Sequence, residues 1–186
     1  KYLIYPQGNK PMANINPEAF GNAWIVSDIK WVTTPNEEID AIENTNVKTT
    51  AIVNDEFKNV IGDLTPSVGT GTIQLTSYKP NELIYNFNSS KDELVVFSEI
   101  WTSKGWTMWI DGKESPLIRA DYILRAAVVP AGNHEIMMRY EPKIWKVGNT
   151  IQFVSSLILI LGLFAAILVT YRKSECTKKI RMDKVC

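Results

Sequence analysis

The chain has 186 residues, enough for one domain of ordinary size, and 45% of them are hydrophobic, enough for a real core. The formal net charge of zero hides an asymmetry: residues 1–149 hold 14 Lys/Arg against 18 Asp/Glu, while residues 172–186 hold 6 against 2. A mildly acidic body lacks the clustered cations that neutralise phosphates, which excludes nucleic acid as a partner.

Residues 1–22 are rich in Pro, Asn and Gly and read as irregular chain, with a turn of helix near Pro17–Phe20. Ala23–Val32 reads as one strand carrying Trp24 and Trp31. Thr34-Pro35-Asn36-Glu37-Glu38 is a helix start: a Thr cap, Pro at the first position and acids in the first turn. That helix is expected to run to Asn44 and to bury Ile39 and Ile42, and a short apolar strand follows at Thr49–Val53.

From Gly71 onward the pattern is a strand meander. Thr72–Tyr78, Leu83–Phe87, Glu93–Trp101, Trp106–Ile110, Ser115–Ala120, Ile123–Val129 and His134–Glu141 are all enriched in β-branched or aromatic residues. Asn88–Asp92 reads as a polar loop and Pro130–Asn133 as a turn. Asp111-Gly112 suits a two-residue type I′ hairpin. The fold class expected is mainly β: an antiparallel, jelly-roll-like β-sandwich with a small α/β N-terminal part, followed by one C-terminal transmembrane helix.

Ile151–Tyr171 (IQFVSSLILILGLFAAILVTY) contains no charge and is long enough, at about 1.5 Å per residue, to cross roughly 30 Å of hydrocarbon. Trp145 before it, and Tyr171, Arg172 and Lys173 at its end, are the residues an interfacial belt would use. Six Lys/Arg follow the span against Arg139, Lys143 and Lys146 before it, so the positive-inside bias predicts a cytoplasmic C-terminus and an extracytoplasmic body. The organisation expected is an α/β portion over 1–70, the sandwich over 71–142, a linker at 143–149, the membrane helix at 150–171 and a basic tail at 172–186. The chain opens at Lys1 without a charged-then-apolar leader, so export by an earlier membrane segment of a longer parent is expected.

Chemistry-bearing residues are sparse. The one histidine, His134, follows a turn and reads as a solvated edge residue. Cys176 and Cys186 both follow the span, so the body has no disulfide framework, and no metal site or cofactor motif is expected. Trp101, Trp106 and Trp109 lie close in sequence to Asp111, Arg119 and Arg125. Aromatic faces beside carboxylates and Arg are the groups that hold sugars, by stacking and bidentate hydrogen bonds. Core packing is their competing use, because alternation puts Trp106, Met108 and Ile110 on one strand face and Trp109 on the other.

Several segments resemble the C-terminal region of YfhO-type bacterial membrane proteins, in the form common in Bacteroidetes. They are Gly21–Val32, SYKPNEL from Ser77, LVVFSEIWTSKGW from Leu94, and Ile110–Pro142 with its Asp111-Gly112-Lys113 and Pro130-Ala131-Gly132 turns. Where the family carries an aromatic residue and a proline before Lys104-Gly105-Trp106, this chain has Thr102 and Ser103. The resemblance implies a polytopic parent in the bacterial cytoplasmic membrane, related to C-type glycosyltransferases that move sugar from a lipid-linked donor to a cell-envelope acceptor. It also implies that the catalytic acids lie among other membrane helices, so this chain carries no catalytic residue. The partners expected are the lipid bilayer, the parent's remaining membrane helices, and a glycan or lipid-linked sugar. The alternative expectation is a membrane-tethered carbohydrate-binding or adhesive module.

Overall fold

The computed structural model describes residues 2–7, 10–66 and 71–182. The chain forms two compact units, Lys1–Glu141 and Pro142–Cys186.

The first unit opens with a correction. Tyr2–Gln7 (β1) and Lys10–Ile15 (β2) are not irregular but pair antiparallel as a separate two-stranded sheet. The aromatic and aliphatic run Tyr2-Leu3-Ile4-Tyr5 outweighs the turn-forming composition, and Pro6 faces Pro11, so neither proline interrupts a longer ladder. The turn expected next is a short one at Pro17–Glu18, where the Asn16 carboxamide oxygen accepts the Glu18 N–H at 3.0 Å.

The strand expected over 23–32 is two strands, Ala23–Val26 (β3) and Asp28–Val32 (β4), broken at Ser27. The Ser27 and Asp28 N–H groups both donate to the Thr49 carbonyl, at 2.8 and 3.1 Å, which turns the chain between sheet edges. Helix α1 (Pro35–Glu43) follows as expected, with Thr34 accepting the Glu37 N–H at 3.3 Å. Its inner face differs from expectation: Ile39 is exposed, while Glu38 and Ala41 are buried and Ile42 half-buried. A tertiary ion pair holds Glu38 inside and sets the helix rotation. Thr50–Asn54 (β5) leads into a 3₁₀ turn, Asp55–Phe57, and a short helix, Lys58–Ile61 (α2), which the apolar pattern does not announce.

The meander is Thr72–Lys79 (β6), Glu82–Ser89 (β7), Glu93–Ile100 (β8), Trp106–Ile110 (β9), Lys113–Ser115 (β10), Ile118–Ala120 (β11), Leu124–Val129 (β12) and Gly132–Tyr140 (β13). The strand expected at 115–120 is divided between β10 and β11, which belong to different sheets. Asp111 and Gly112 have φ of 50° and 79° and join β9 to β10 with Ile110 opposite Lys113, the positive-φ pair a type I′ hairpin requires.

The sandwich is built from a five-stranded antiparallel sheet, β10-β9-β13-β7-β6, and a six-stranded sheet, β3-β8-β12-β11-β5-β4, in which only β4 and β5 run parallel. β3 and β4 are opposite edges of the larger sheet yet only Ser27 separates them in the chain, so that sheet curls until its edges meet. The curl encloses one core: Val26, Ala51, Val53, Leu94, Val96, Ile118, Ala120 and Ala126, with Ile61 and Phe57 packed against it. The second core lies between the sheets: Leu83, Tyr85 and Phe87 of β7, Met108 and Ile110, Ile136 and Met138 meet Val95, Phe97, Ala127 and Val129. A third cluster seats α1, through Ala41, on Val32 and Ile52. Residues 23–54 therefore complete the larger sheet rather than forming a separate layer.

The second unit is one helix, α3 (Lys143–Met182), so the segment read as a linker is already helical. Val147–Arg172 has mean hydropathy 2.6 and none of it is buried, making it long and apolar enough to cross a membrane. The Ser155 hydroxyl donates to the Ile151 carbonyl, and the Thr170 hydroxyl to that of Ala166 at 2.8 Å, so these hydroxyls are satisfied within the helix as an apolar solvent requires.

Gly105 generates a prediction. It sits at φ 96°, and a Cβ there would lie 2.4 Å from the Tyr140 ring, while its carbonyl accepts the Glu141 N–H at 2.7 Å. Gly105→Ala is expected to lower stability by about 2 kcal/mol. Chemical denaturation checks this, with Gly112→Ala at a sterically open position as the comparison.

Candidate functional site

The six residues singled out for sugar contact are distributed over four places. Trp106 faces the inter-sheet core with Met108 and Ile110. The Arg125 guanidinium lies 4.0 Å from the centroid of its ring and donates from Nε to the Ile100 carbonyl at 2.9 Å. A register shift between Leu124 and Arg125 turns this side chain into the sandwich, where it is 3% exposed. Burial lowers the Arg125 pKa, while nearby Glu99 opposes that shift, so the guanidinium stays charged. Tyr85 is also fully buried, and burial raises its hydroxyl pKa. Among the described residues, the Tyr85 hydroxyl and Arg125 Nη1 have no hydrogen-bond partner.

Trp101 and Arg119 form the second place. The Arg119 guanidinium stands 5.8 Å from the Trp101 ring, which meets Phe57 edge-on at 6.2 Å. Arg119 Nη2 pairs with Glu38 Oε2 at 3.1 Å, and Glu38 Oε1 accepts the Tyr122 N–H at 2.9 Å. Asp121 lies beside this pair. Its Oδ1 accepts the Ile52 N–H at 2.9 Å and its own N–H donates to the Ile52 carbonyl at 2.8 Å, extending the β5–β11 ladder through a side chain. Its Oδ2 is buried without a partner. Desolvation, with a smaller contribution from the Glu38 charge, pushes the Asp121 carboxyl up to about 6.

Asp111 occupies the third place, at the β9–β10 hairpin tip. Its Oδ2 meets His134 Nδ1 at 2.6 Å, and its Oδ1 accepts the Glu135 N–H at 2.9 Å. His134 Nε2 lies 3.1 Å from the Ala131 carbonyl, and the ring stacks on Phe87. The expectation of a solvated edge histidine is corrected here: the side chain is 17% exposed and ties the hairpin tip to the β12–β13 corner. Two acceptors on one ring favour the imidazolium, and the Asp111 hydrogen bond raises the His134 pKa while His134 lowers that of Asp111. Trp109 is the fourth place. It is half-buried on the outer face of the five-stranded sheet, between Glu114 and Met137 in register.

Two open concavities flank these clusters. The larger, about 1030 Å³, is lined largely by apolar groups including Phe20, Trp24, Ile42, Leu75, Tyr78 and Ile123, and also by Glu99 and Asp121. The smaller, about 410 Å³, lies along Thr72, Gln74, Asn86, Asn88, Asn133 and Glu135. Sequence reasoning missed this polar set, although its signal was present: four carboxamides at alternate strand positions. No group of three or more His, Cys, Asp or Glu residues able to hold a metal occurs among the described residues.

On α3, Trp145 and Tyr171 are exposed and stand at opposite ends of the apolar stretch, separated by roughly 39 Å at helical rise. Arg172 is exposed beside Tyr171, and Lys173 continues the helical backbone.

A β-sandwich followed by a helix with no protein cover along its apolar length defines a β-domain joined to a candidate membrane span. The family model described as "Bacterial membrane protein YfhO" matches residues 43–152, more than half of the chain, and the chain belongs to that family. The uncharacterized protein YfhO of Bacillus subtilis (strain 168) is 29% identical over 84 residues, which are 45% of this chain and 10% of that protein. The chain thus spans about a tenth of the length of that curated relative. No solved structure matches.

Two predictions follow from the charge clusters. Asp121 has a folded pKa above its unfolded value, so the stability linked to its proton is present below about pH 4 and lost as pH rises through about 6. Asp121→Asn keeps the carbonyl acceptor for Ile52 and tolerates the φ of 49°. It is expected to raise stability at pH 8 by about 2 kcal/mol and to flatten the profile between pH 4 and 6, as read by denaturant midpoints. His134 behaves alike in sign: its raised pKa gives stability present below pH 6.5 and lost as pH rises through the folded value. His134→Gln should remove that alkaline-side fall in melting temperature, and NMR titration of the ring should place its midpoint above 6.5.

Proposed function

We propose that this chain is the extracytoplasmic accessory β-domain and last membrane helix of a polytopic, glycosyltransferase-like protein of the bacterial cytoplasmic membrane, and that it is itself non-catalytic. In this reading the parent moves sugar from a lipid-linked donor to a cell-envelope acceptor, and the domain stands on the acceptor side. The observation that carries it is a family member whose body ends in a helix with wholly uncovered apolar sides. That helix has no solvent but lipid or other membrane helices.

The non-catalytic part is supported by the engagement of the ionisable groups. Glu38 is held by Arg119 and Tyr122, Asp111 by His134 and Glu135, and Glu82 by Lys79 and Arg139 at 2.7 and 2.6 Å. These three carboxylates are spent on architecture, and general acid–base work needs one poised toward a reacting group. The orientation rests on the six cations after the span against three before it.

The test uses the parent with every cysteine replaced except Cys176 and Cys186. A membrane-impermeant maleimide should leave them unlabelled in intact cells and label them after permeabilisation. A cysteine placed at exposed Asn36 should react without permeabilisation. Labelling of the C-terminal cysteines from outside overturns the orientation. Sugar transfer by the 186-residue chain alone in liposomes, supplied with a polyprenyl-phosphate sugar, overturns the non-catalytic reading.

A further inference from the structure

The outer face of the five-stranded sheet carries an ordered polar array. Register sets Thr72, Asn88 and Asn133 in one transverse row across β6, β7 and β13, and Gln74, Asn86 and Glu135 in the next. All six residues are exposed and they line the 410 Å³ concavity. With strands about 4.8 Å apart and same-face residues about 6.8 Å apart, the array covers roughly 10 by 7 Å, the area of one or two pyranose rings. Trp109 stands on the same face of β9, opposite Met137 and so one row beyond Glu135.

The composition of this face runs against strand chemistry. Asn is depleted from strands because its amide competes for backbone hydrogen bonds, and nothing in sheet stability asks for three Asn and a Gln on adjacent positions. A carboxamide offers two donors and an acceptor without charge, which matches the mixed donor and acceptor character of sugar hydroxyls. Glu135 is the one ionisable group in the two rows, so the face does not suit a polyanion. The side chains of Asn88 and Asn133 already hydrogen-bond each other, which holds that end of the array in place.

We propose that this face binds a neutral glycan, with Gln74, Asn86, Asn133 and Glu135 meeting its hydroxyls and Trp109 bordering one ring. The inference deepens the proposed function by assigning the acceptor to a surface and rests on that reading only for the glycan's role, since the binding itself is tested separately. The concentration of exposed amides on one face distinguishes it from the Trp106–Arg125, Trp101–Arg119 and Asp111 clusters, whose charged groups are turned inward or already paired.

The full chain in lipid nanodiscs is titrated calorimetrically with cellohexaose and with chitohexaose, and with polygalacturonate as the anionic control. At least one neutral hexasaccharide should bind, and polygalacturonate should not. Gln74→Ala with Asn86→Ala should weaken binding about tenfold, the loss of two neutral hydrogen bonds, with an unchanged melting temperature because both side chains are exposed. Asn36→Ala, an exposed amide elsewhere, should bind as the unsubstituted chain does. Failure of both neutral probes to bind, or equal binding by the double variant, makes the array an ordinary solvated sheet face and overturns the proposal. In the parent, glycan binding without any sugar transfer would sink the glycosyltransferase reading while leaving this site standing.

Discussion

The structure depends on β8 being covered on both faces. Every residue from Glu93 to Phe97 is buried, with Val95 and Phe97 feeding the core between the sheets and Leu94 and Val96 the core inside the curl. A strand with two dry faces must be apolar on both, and Leu-Val-Val-Phe is the kind of continuous run such a strand requires. β12 repeats the arrangement beside it, with Ala126 facing one core and Ala127 and Val129 the other. The small alanines let both layers close on this pair of strands, and a two-core body becomes possible in fewer than 150 residues.

Polar groups enter this interior only with specific work to do. Glu93 is fully buried and its Oε1 accepts the Ser89 hydroxyl at 3.1 Å, across the connection where the chain leaves the five-stranded sheet for the six-stranded one. At the surface, the return crossing at Pro130–Ala131 is held by the exposed Asp92, whose Oδ1 accepts the Ala131 N–H at 2.9 Å. Asp121 continues the β5 ladder, Arg125 satisfies the exposed carbonyl of Ile100 and stacks on Trp106, and Glu38 seats α1. Isolated buried charges cost several kcal/mol each, so these groups are tolerated because each closes a joint that the backbone leaves open.

How much of this was legible in the sequence follows from which forces act locally. The strands of the meander, the Asp111-Gly112 hairpin, the Thr34 cap and the apolar span are set by neighbours within a few residues, and the pattern reveals them. The family was legible for the same reason, because turn residues such as Lys104-Gly105-Trp106 and Pro130-Ala131-Gly132 sit at fixed backbone requirements. Tertiary decisions were not legible. Nothing near Glu38 announces that Arg119, eighty-one residues away, will draw it inside and leave Ile39 in solvent. The break at Ser27 is likewise invisible, since both halves of AWIVSDIKWV are good strand and only sheet closure separates them. Proximity in sequence also misled for Trp101, Trp106 and Trp109: the four residues between the first two and the two between the last suffice to send them to different faces.

The same reasoning explains why the polar rows on the five-stranded sheet went unnoticed. Gln74, Asn86 and Glu135 are dispersed over sixty residues, and only the antiparallel register of β6, β7 and β13 brings them side by side. The residues between them face the other way: Ile73, Leu75, Tyr85, Phe87 and Ile136 all pack in the inter-sheet core. The alternation of period two therefore does two jobs in these strands, one set by packing and one left free. On β8 and β12 no face is free, because both are dry. Along Ile151–Tyr171 of α3 no side carries a charge. A domain whose spine and anchor are committed in this way has only its outer sheet surfaces left on which composition can vary without loss of the fold, and it is there that the sequence departs furthest from what strand stability alone would select.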